Sequence, residues 1–363
     1  MALVPPVVPA SLDSVMRRPR LKVPSHFPVG FYHCISRVVD RRFLFSDLDK
    51  DRFVSLLREC ERFCRVRVLS FTILSNHFHI LLEVPAKPPP HLLPSPDQIV
   101  ADLRRLSGFQ FPDAVRQRFH AFAQANDHAG HARYLASFHA RMFDLSAFMK
   151  MLKQRFTQWY NARHQRCGTL WEERFKSVLV DGAGSSLLTI AAYIDLNPVR
   201  AGIVQDPKDY RWGSYAEALA GRPRPRSAIQ FLVCALLQGH TLSLSRSLET
   251  YRQHLFLEGD ERREGLAADG KLLRGALKAQ DVARVLQAKG KLPLSEYLKC
   301  RVRYFNDGAV CGSREFVEDM FRRFRNRFGP KRRSGARPMR GLADTPLFTW
   351  RDFRLRVFGV TGG

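Results

Sequence analysis

The sequence lacks several features that would place the protein in other classes. No apolar run reaches the roughly 20 residues that a membrane-spanning helix needs. The seven cysteines are an odd number without a Cys-x-x-Cys pair, so free thiols in a cytosolic protein fit better than a disulfide framework. Segment 1–20 has its charges after its apolar part and is broken by prolines, which is unlike a signal peptide. We therefore expect a cytoplasmic protein with a flexible leader over residues 1–28.

Acidic side chains are scarce as well. The chain has 34 Asp and Glu against 59 Lys and Arg, which gives a formal net charge of +25 and a pI near 10.4. Self-repulsion opposes compaction, so such an excess rarely serves folding and indicates an anionic partner, most often nucleic acid. A generally basic proteome is the alternative explanation. The 363 residues, 45% of them apolar, can build a real core and favour two domains or one domain with a large insertion.

The N-terminal part of the chain carries strand and helix patterns in turn. β-branched and aromatic residues predict strands at 31–39, 66–74 and 77–84. Between the first two strands, apolar residues at helical spacing follow Asp47 and Asp49 and predict a helix. The order β-α-β-β indicates an α+β protein with a ferredoxin-like antiparallel sheet and helices on one side.

Beyond the third strand the pattern becomes mainly helical. Prolines open an insertion at about 85–143, whose histidines fit solvated helix positions better than metal ligands. A long amphipathic helix follows Asp144, and a fourth strand is expected within 168–180. A further helix over 185–196 has Ser185 as its expected cap.

A domain boundary is predicted at the proline-rich stretch GRPRPRS, residues 221–227, which is interpreted as a linker. We expect the first domain to span 29–222 and a mainly helical, basic C-terminal region to span 223–363. That region contains a helix with an expected cap at Ser313 and an arginine-rich segment without acidic residues, 322–340. It is interpreted either as an added DNA-binding module or as a solvated basic tail.

Two histidines stand one residue apart on the third predicted strand. Because residues i and i+2 of a strand point to the same side, the imidazoles of His77 and His79 project together. The other side is apolar and must face the core: Phe78, Ile80, Leu82 and Val84. Neutral imidazoles at this spacing can share one divalent cation. Taken alone, the pattern is equally consistent with two histidines that bind a metal and with two that do not.

A second polar pattern lies in YIDLNPVRAG, residues 193–202. On a helix, Tyr193 and Asn197 are four residues apart and share a face, and Ser186 and Thr189 lie near that face. Most tyrosines are packed with the hydroxyl group hydrogen-bonded. The polar flank favours an active-site tyrosine here.

These two motifs, with GTLWEERFKS between them, resemble those of the IS200-like (Y1) transposases, and most closely the REP-associated tyrosine transposases, over residues 29–218. The resemblance implies the HUH nuclease fold, with His77 and His79 as metal ligands, Tyr193 as the nucleophile and Asn197 as a third, polar ligand. It also implies Mg²⁺ or Mn²⁺ as the cofactor and a location in the bacterial cytoplasm, at the nucleoid. The insertion and the long C-terminal region depart from the family pattern.

The function that this resemblance implies is that of a metal-dependent single-strand DNA endonuclease and strand transferase. It would act on hairpin or repeat-end DNA through a 5′-phosphotyrosine intermediate. The alternative is a domesticated protein that recognises a DNA sequence or hairpin with little or no catalysis. A zinc hydrolase would need further ligands on later strands, and no convincing set is present. Monomer and dimer both stay open, and the insertion favours a monomer.

Basic residues would follow the phosphates of a single DNA strand. The candidates for DNA contact are Lys150, Lys153, Arg155, Arg163, Arg174, Lys176, Arg200, Arg322, Arg323 and Arg325. Tyr160 is a rival nucleophile, although it lacks a polar partner at a matching position. Glu83 is expected to be solvated at the end of its strand, and His33 is expected to be structural.

Overall fold

The computed structural model describes part of the chain, residues 20–24, 26–106, 111–256, 294–342 and 347–351. Most of the predicted leader lies outside these residues. Among the helices described, none combines the length and the apolar character that crossing a membrane requires.

The strands in the described part of the chain form one sheet. They are β1 (Val29–Arg37), β2 (Arg67–Ile73), β3 (His77–Pro85), β4 (Lys176–Val180), β5 (Val310–Gly312), β6 (Arg337–Pro338) and β7 (Phe348–Thr349). Their order in the sheet is β2-β3-β1-β4-β5-β7-β6.

The helices fall into three groups along the chain. The first group is α1 (Asp47–Phe63), α2 (Pro96–Arg104), α3 (Pro112–Gln124), α4 (His128–His139) and α5 (Leu145–Arg163). The second is α6 (Ser186–Asp195), α7 (Asn197–Arg200), α8 (Ser214–Leu219), α9 (Pro223–Leu236) and α10 (Leu244–Phe256). The third is α11 (Leu294–Lys299), α12 (Arg303–Asp307) and α13 (Arg314–Arg323). Short 3-10 turns lie at Val39–Arg41, Pro90–Leu92, Pro207–Asp209 and Arg325–Arg327.

The first four strands build the predicted antiparallel sheet. β1 pairs with both β3 and β4, and β2 pairs with β3, all antiparallel. The first three strands begin and end within two residues of their predicted bounds. The α+β class and the order β-α-β-β are therefore confirmed.

Helices cover both faces of the sheet, so the expectation of helices on one side was wrong. On one face, Phe78 and Ile80 of β3 join a buried cluster with α1 and α5. On the other face, Leu81 of β3 and Leu69 of β2 join a second cluster with α6, α9 and α10. Side chains alternate along a strand, so strands that are apolar at both sets of positions need a cover on each face.

The insertion lies on the face away from the two histidines. Ile99 of α2, Phe119 of α3 and Phe138 of α4 belong to the same buried cluster as α1 and α5. The Nε2 of His139 donates a hydrogen bond to the carbonyl oxygen of Pro94, at 2.8 Å. The described helices of the insertion therefore enlarge the core on that face.

The stretch interpreted as a linker is instead the start of α9, which begins at Pro223. Proline is well suited to the first turn of a helix, because its missing N–H has no partner there in any case. Ile229 and Leu232 of α9 lie in the same buried cluster as Leu188 of α6. The residues that follow 222 therefore pack in the same core as α6.

The C-terminal region extends the sheet. β5 pairs parallel with β4, so that Leu179 is opposite Val310, and β7 and β6 follow with antiparallel pairing. Tyr297 of α11 and Phe305 of α12 lie in the second buried cluster, beside α6. This packing brings α12 to the face of the sheet on which His77 and His79 project.

Two predicted helix caps have opposite outcomes. Ser313 caps α13 as predicted, because its Oγ accepts a hydrogen bond from the N–H of Phe316 at 3.2 Å. Ser185 precedes α6 but makes no side-chain cap hydrogen bond, so that prediction was wrong. The backbone of Ser185 is already helical, with φ −79° and ψ −8°, whereas a capping residue is usually extended.

Candidate active site

β3 presents His77 and His79 on the face that α6 covers. The centroids of the two imidazole rings are 5.2 Å apart, and the ring of His79 is 6.2 Å from the ring of Tyr193 on α6. Asn197, the first residue of α7, places its Nδ2 3.2 Å from Nε2 of His77. The four residues predicted from the two motifs are therefore brought together on one face of the sheet.

His77 is oriented through both of its ring nitrogens. Its Nδ1 lies 2.6 Å from Oδ1 of Asn76, and its Nε2 faces the amide nitrogen of Asn197. An amide nitrogen only donates, so Nε2 of His77 is the acceptor and holds its lone pair toward Asn197. The ring proton is then on Nδ1, which donates to Asn76.

His79 is oriented by a residue from the neighbouring strand. Its Nδ1 lies 2.9 Å from Nε2 of His33 on β1. The other ring nitrogen of His33, Nδ1, lies 3.0 Å from the carbonyl oxygen of Phe305 on α12. A row of hydrogen bonds therefore joins the C-terminal region to the ring of His79.

Burial keeps these imidazoles neutral at ordinary pH. Removal from water, aided by the guanidinium group of Arg37, lowers the pKa of His77 to about 3. Burial and the neighbouring ring of His33 lower the pKa of His79 well below its ordinary value. The neutral imidazole is the form that binds a metal ion.

Tyr193 is enclosed, with 1% of its surface exposed. Its hydroxyl accepts a hydrogen bond from Nδ2 of Asn306 at 2.6 Å, and the same nitrogen donates to the carbonyl of Val302 at 2.9 Å. The ring of Phe305 stands edge-on to the tyrosine ring at 5.0 Å. The guanidinium carbon of Arg200 lies 3.8 Å from the centroid of the tyrosine ring. The tyrosine is therefore covered by α12 and by Arg200.

Sequence reasoning missed part of this arrangement. His33 was expected to be structural, yet it contacts His79 directly. Asn306 stands 113 residues after Tyr193, and no periodic pattern connects the two positions. Arg200 was predicted to contact DNA, and the structure places it inside the site, where Nη1 donates to the carbonyl of Leu298 at 2.9 Å. Its Nη2 is buried without a hydrogen-bond partner.

The side chains of His77, His79 and Asn197 are the candidates to hold a divalent cation. Both imidazoles are neutral and have Nδ1 held by a neighbour, which is the usual arrangement for histidines that bind a metal through Nε2. A half-turn of the Asn197 amide would exchange Nδ2 for Oδ1 as the group that faces His77. Over the described ranges, no cluster of three or more His, Cys, Asp and Glu side chains could hold a metal.

The residues predicted to contact DNA divide into two sets. Those with exposed side chains are Lys150, Arg163, Arg174, Lys176, Arg322 and Arg323. Three of them also form ion pairs: Lys176 with Asp307 at 3.1 Å, Arg323 with Asp319 at 2.7 Å, and Arg322 with the same Asp319 at 3.9 Å.

The remaining candidates are engaged in contacts within the protein. Lys153 donates to the carbonyl of Glu173 at 3.0 Å, and burial lowers its pKa to about 8. Arg155 pairs with Glu59 at 3.4 Å. Arg325 donates to the carbonyl oxygens of three residues, Phe328, Gly329 and Pro330. Arg200 lies inside the site.

Tyr160, the rival nucleophile, lies on the opposite face of the sheet, in the cluster with α1 and α5. Its hydroxyl donates to the carbonyl of Leu44 at 3.3 Å, and its ring stacks on His164. Glu83 pairs with Arg67 at 3.3 Å.

Part of the chain matches a known protein family. Residues 29–101 match the family model described as transposase, IS200 like. Among solved structures, the chain is similar to one described as a REP-associated tyrosine transposase bound to a REP hairpin. That similarity has 15% sequence identity and a TM-score of 0.34, and covers 56% of this chain and 84% of the other. No curated protein matches the chain.

The family match confirms the predicted resemblance for the segment that carries His77 and His79. Tyr193 and Asn197 lie beyond the matched residues, so their place in the site depends on the geometry described above. The match supports a transposase-type function that acts on DNA.

Proposed function

We propose that this protein is a metal-dependent single-strand DNA endonuclease and strand transferase that acts on hairpin or repeat-end DNA. The observation that carries the proposal is the convergence of two neutral imidazoles, an amide and a tyrosine on one face of the sheet. His79 lies 6.2 Å from Tyr193 by ring centroids, and His77 lies 3.2 Å from the Asn197 amide. The transposase family match over residues 29–101 supports the same function.

His77 and His79 would hold Mg²⁺ or Mn²⁺ through Nε2, and Asn197 through Oδ1. The bound cation would neutralise charge on a non-bridging phosphate oxygen and act as a Lewis acid. Because the protein ligands are uncharged, they leave the cation its full positive charge. The absence of a carboxylate among them suits a site that receives an anionic phosphodiester.

Tyr193 would supply the attacking oxygen. Its Oη forms a bond to phosphorus while the bond from phosphorus to the 3′ oxygen breaks, and the phenolic proton ends on the released 3′ hydroxyl. The product is a 5′-phosphotyrosine, and its ester bond allows the strand to be rejoined without ATP. In the enclosed arrangement the Asn306 N–H donates a hydrogen bond to this oxygen.

One observation favours the second candidate function, a hairpin-binding protein with little or no catalysis. Tyr193 is 1% exposed and lies under Phe305 and Asn306 of α12. A phosphodiester can approach the hydroxyl only after α12 has moved away. If DNA binding does not displace α12, the protein recognises DNA without cutting it.

A covalent-adduct assay separates these functions. The full-length protein is incubated with a labelled single-stranded hairpin and Mn²⁺ or Mg²⁺, and the products are separated under denaturing conditions. We expect a protein–DNA adduct in the wild type, none in Tyr193→Phe, and unchanged hairpin binding in that variant. Tyr160→Phe is the matched control and keeps the adduct.

The other outcomes point elsewhere. An adduct that persists in Tyr193→Phe means that another residue is the nucleophile. Tight hairpin binding without any adduct supports the recognition function. Cleavage without an adduct in the presence of Zn²⁺ indicates a hydrolase.

A further inference from the structure

His33 occupies a central position in the site although it belongs to neither motif. It lies on β1, is completely buried, and is opposite Leu81 in the register of β1 and β3. Its Nε2 lies 2.9 Å from Nδ1 of His79, and its Nδ1 lies 3.0 Å from the carbonyl oxygen of Phe305. Both ring nitrogens therefore have one protein partner each.

The identity of these partners fixes the position of each proton. A carbonyl oxygen only accepts hydrogen bonds, so Nδ1 of His33 must carry a hydrogen. A neutral imidazole has one N–H, so Nε2 of His33 is an acceptor, and Nδ1 of His79 must donate to it. The hydrogen of His79 is then on Nδ1, and its Nε2 keeps a lone pair. The ring of His33 is completely buried, which favours its uncharged form.

We propose that His33 is a positioning residue that fixes the tautomer of His79, so that Nε2 of His79 is available as a ligand atom. The inference deepens the proposed function, because a ligand atom matters only if a cation binds there. The carbonyl of Phe305 has a role as well. Because it accepts from Nδ1 of His33, it makes Nε2 of His33 the acceptor for the N–H of His79. Residues that orient metal-binding histidines in this way change metal affinity by about 10- to 100-fold when they are lost.

Two substitutions at His33 separate its hydrogen-bonding role from its packing role. His33→Phe keeps a ring of similar size but removes the acceptor for His79. His33→Gln keeps both an acceptor and a donor in a side chain of similar reach. Thermal unfolding of both variants, compared with the wild type, shows whether each one is folded.

The first measurement is the tautomer of His79, read from the nitrogen chemical shifts of the full-length, metal-free protein labelled with ¹⁵N-histidine. We expect the proton of His79 on Nδ1 in the wild type and in His33→Gln. In His33→Phe we expect a mixture or the proton on Nε2. An unchanged tautomer in a folded His33→Phe overturns the inference, whether or not a cation binds.

The second measurement is Mn²⁺ affinity, followed by electron paramagnetic resonance of the free ion. We expect His33→Phe to bind Mn²⁺ about 10- to 100-fold more weakly than the wild type, and His33→Gln to recover most of this loss. Equal affinities in the wild type and His33→Phe also overturn the inference and leave the proposed function intact. A wild type that binds no Mn²⁺ contradicts the proposed function, while the tautomer measurement still decides the role of His33.

Discussion

At the scale of single residues, the site depends on hydrogen-bond partners from distant parts of the chain. The Tyr193 hydroxyl accepts from Asn306, and His33 lies between His79 and the carbonyl of Phe305. A buried polar group that loses its partner costs about 1–3 kcal/mol. These bonds therefore disfavour any packing of α12 that leaves the tyrosine or the histidines without partners.

The bond between Tyr193 and Asn306 can be measured by a double-mutant cycle. We expect Tyr193→Phe and Asn306→Leu each to lower the free energy of unfolding, with a coupling of about 1 kcal/mol or more in the double variant, because the two residues contact each other. Urea unfolding gives the four values. Tyr160→Phe combined with Asn306→Leu is the control and should be additive within about 0.5 kcal/mol. Additivity in the Tyr193 pair would mean that α12 does not hold the tyrosine in solution.

His254 on α10 gives a pH prediction at the same scale. Burial lowers its pKa to about 4, from an ordinary value of 6.5, and its Nε2 is buried without a hydrogen-bond partner. As the pH falls below 6.5, His254 becomes protonated in the unfolded chain but stays neutral in the folded chain. The free energy of unfolding therefore decreases until about pH 4, where the folded chain is protonated too. Between pH 8 and pH 5, the wild type should lose up to about 2 kcal/mol more than His254→Leu in urea unfolding. Parallel pH profiles would contradict this assignment.

The sequence identified some of these residues and not others, for a physical reason. His77 and His79 share a strand face, and Tyr193 and Asn197 lie one helical turn apart, so local periodicity brings each pair together. The role of His33 depends on the pairing of β1 with β3. Periodicity within one element carries no information about contacts between elements.

At the scale of elements, the two serines that precede helices provide a matched test. Ser313 accepts from Phe316 N–H and also donates to Asp181 at 2.6 Å, whereas Ser185 makes no cap bond. We expect Ser313→Ala to lower the free energy of unfolding by about 1–2 kcal/mol, and Ser185→Ala to change it by less than about 0.5 kcal/mol. Urea unfolding of the two variants checks both values. Equal effects would mean that the capping bond contributes little.

Element boundaries followed from the sequence more closely than element packing did. Strands β1 to β3 were located to within two residues, because β-branched and aromatic runs report local preference. The proline-rich stretch at 221–227 was misinterpreted, since proline is equally compatible with a linker and with the first turn of a helix. The second layer of helices was missed because only one side of β3 was interpreted as core, whereas Leu81 on its other side joins the second buried cluster.

At the scale of the whole molecule, the charge of +25 predicts DNA binding that weakens with salt. For single strands, the logarithm of affinity falls with the logarithm of salt concentration by about 0.7 per phosphate contact. Arg163 and Arg174 are exposed, so the double substitution Arg163→Gln/Arg174→Gln should reduce this slope by up to about 1.4. Fluorescence anisotropy with a labelled hairpin at several salt concentrations measures it.

Arg325→Gln is the matched control for this experiment. Its guanidinium group already donates to carbonyl oxygens of Phe328, Gly329 and Pro330. We expect an unchanged salt slope and a lower melting temperature in this variant. A reduced slope would show that the arginine-rich segment contacts DNA as the sequence predicted.

The cover that α12 places over Tyr193 has a consequence for synthesis of the protein. A chain leaves the ribosome from its N-terminus, and its early parts begin to fold first. Strands β1 to β4 and helix α6 emerge long before Asn306, which follows Tyr193 by 113 residues. During that interval the tyrosine and both histidines lack the cover that encloses them in the finished protein. A nascent chain would therefore carry its reactive groups uncovered until translation passes residue 306.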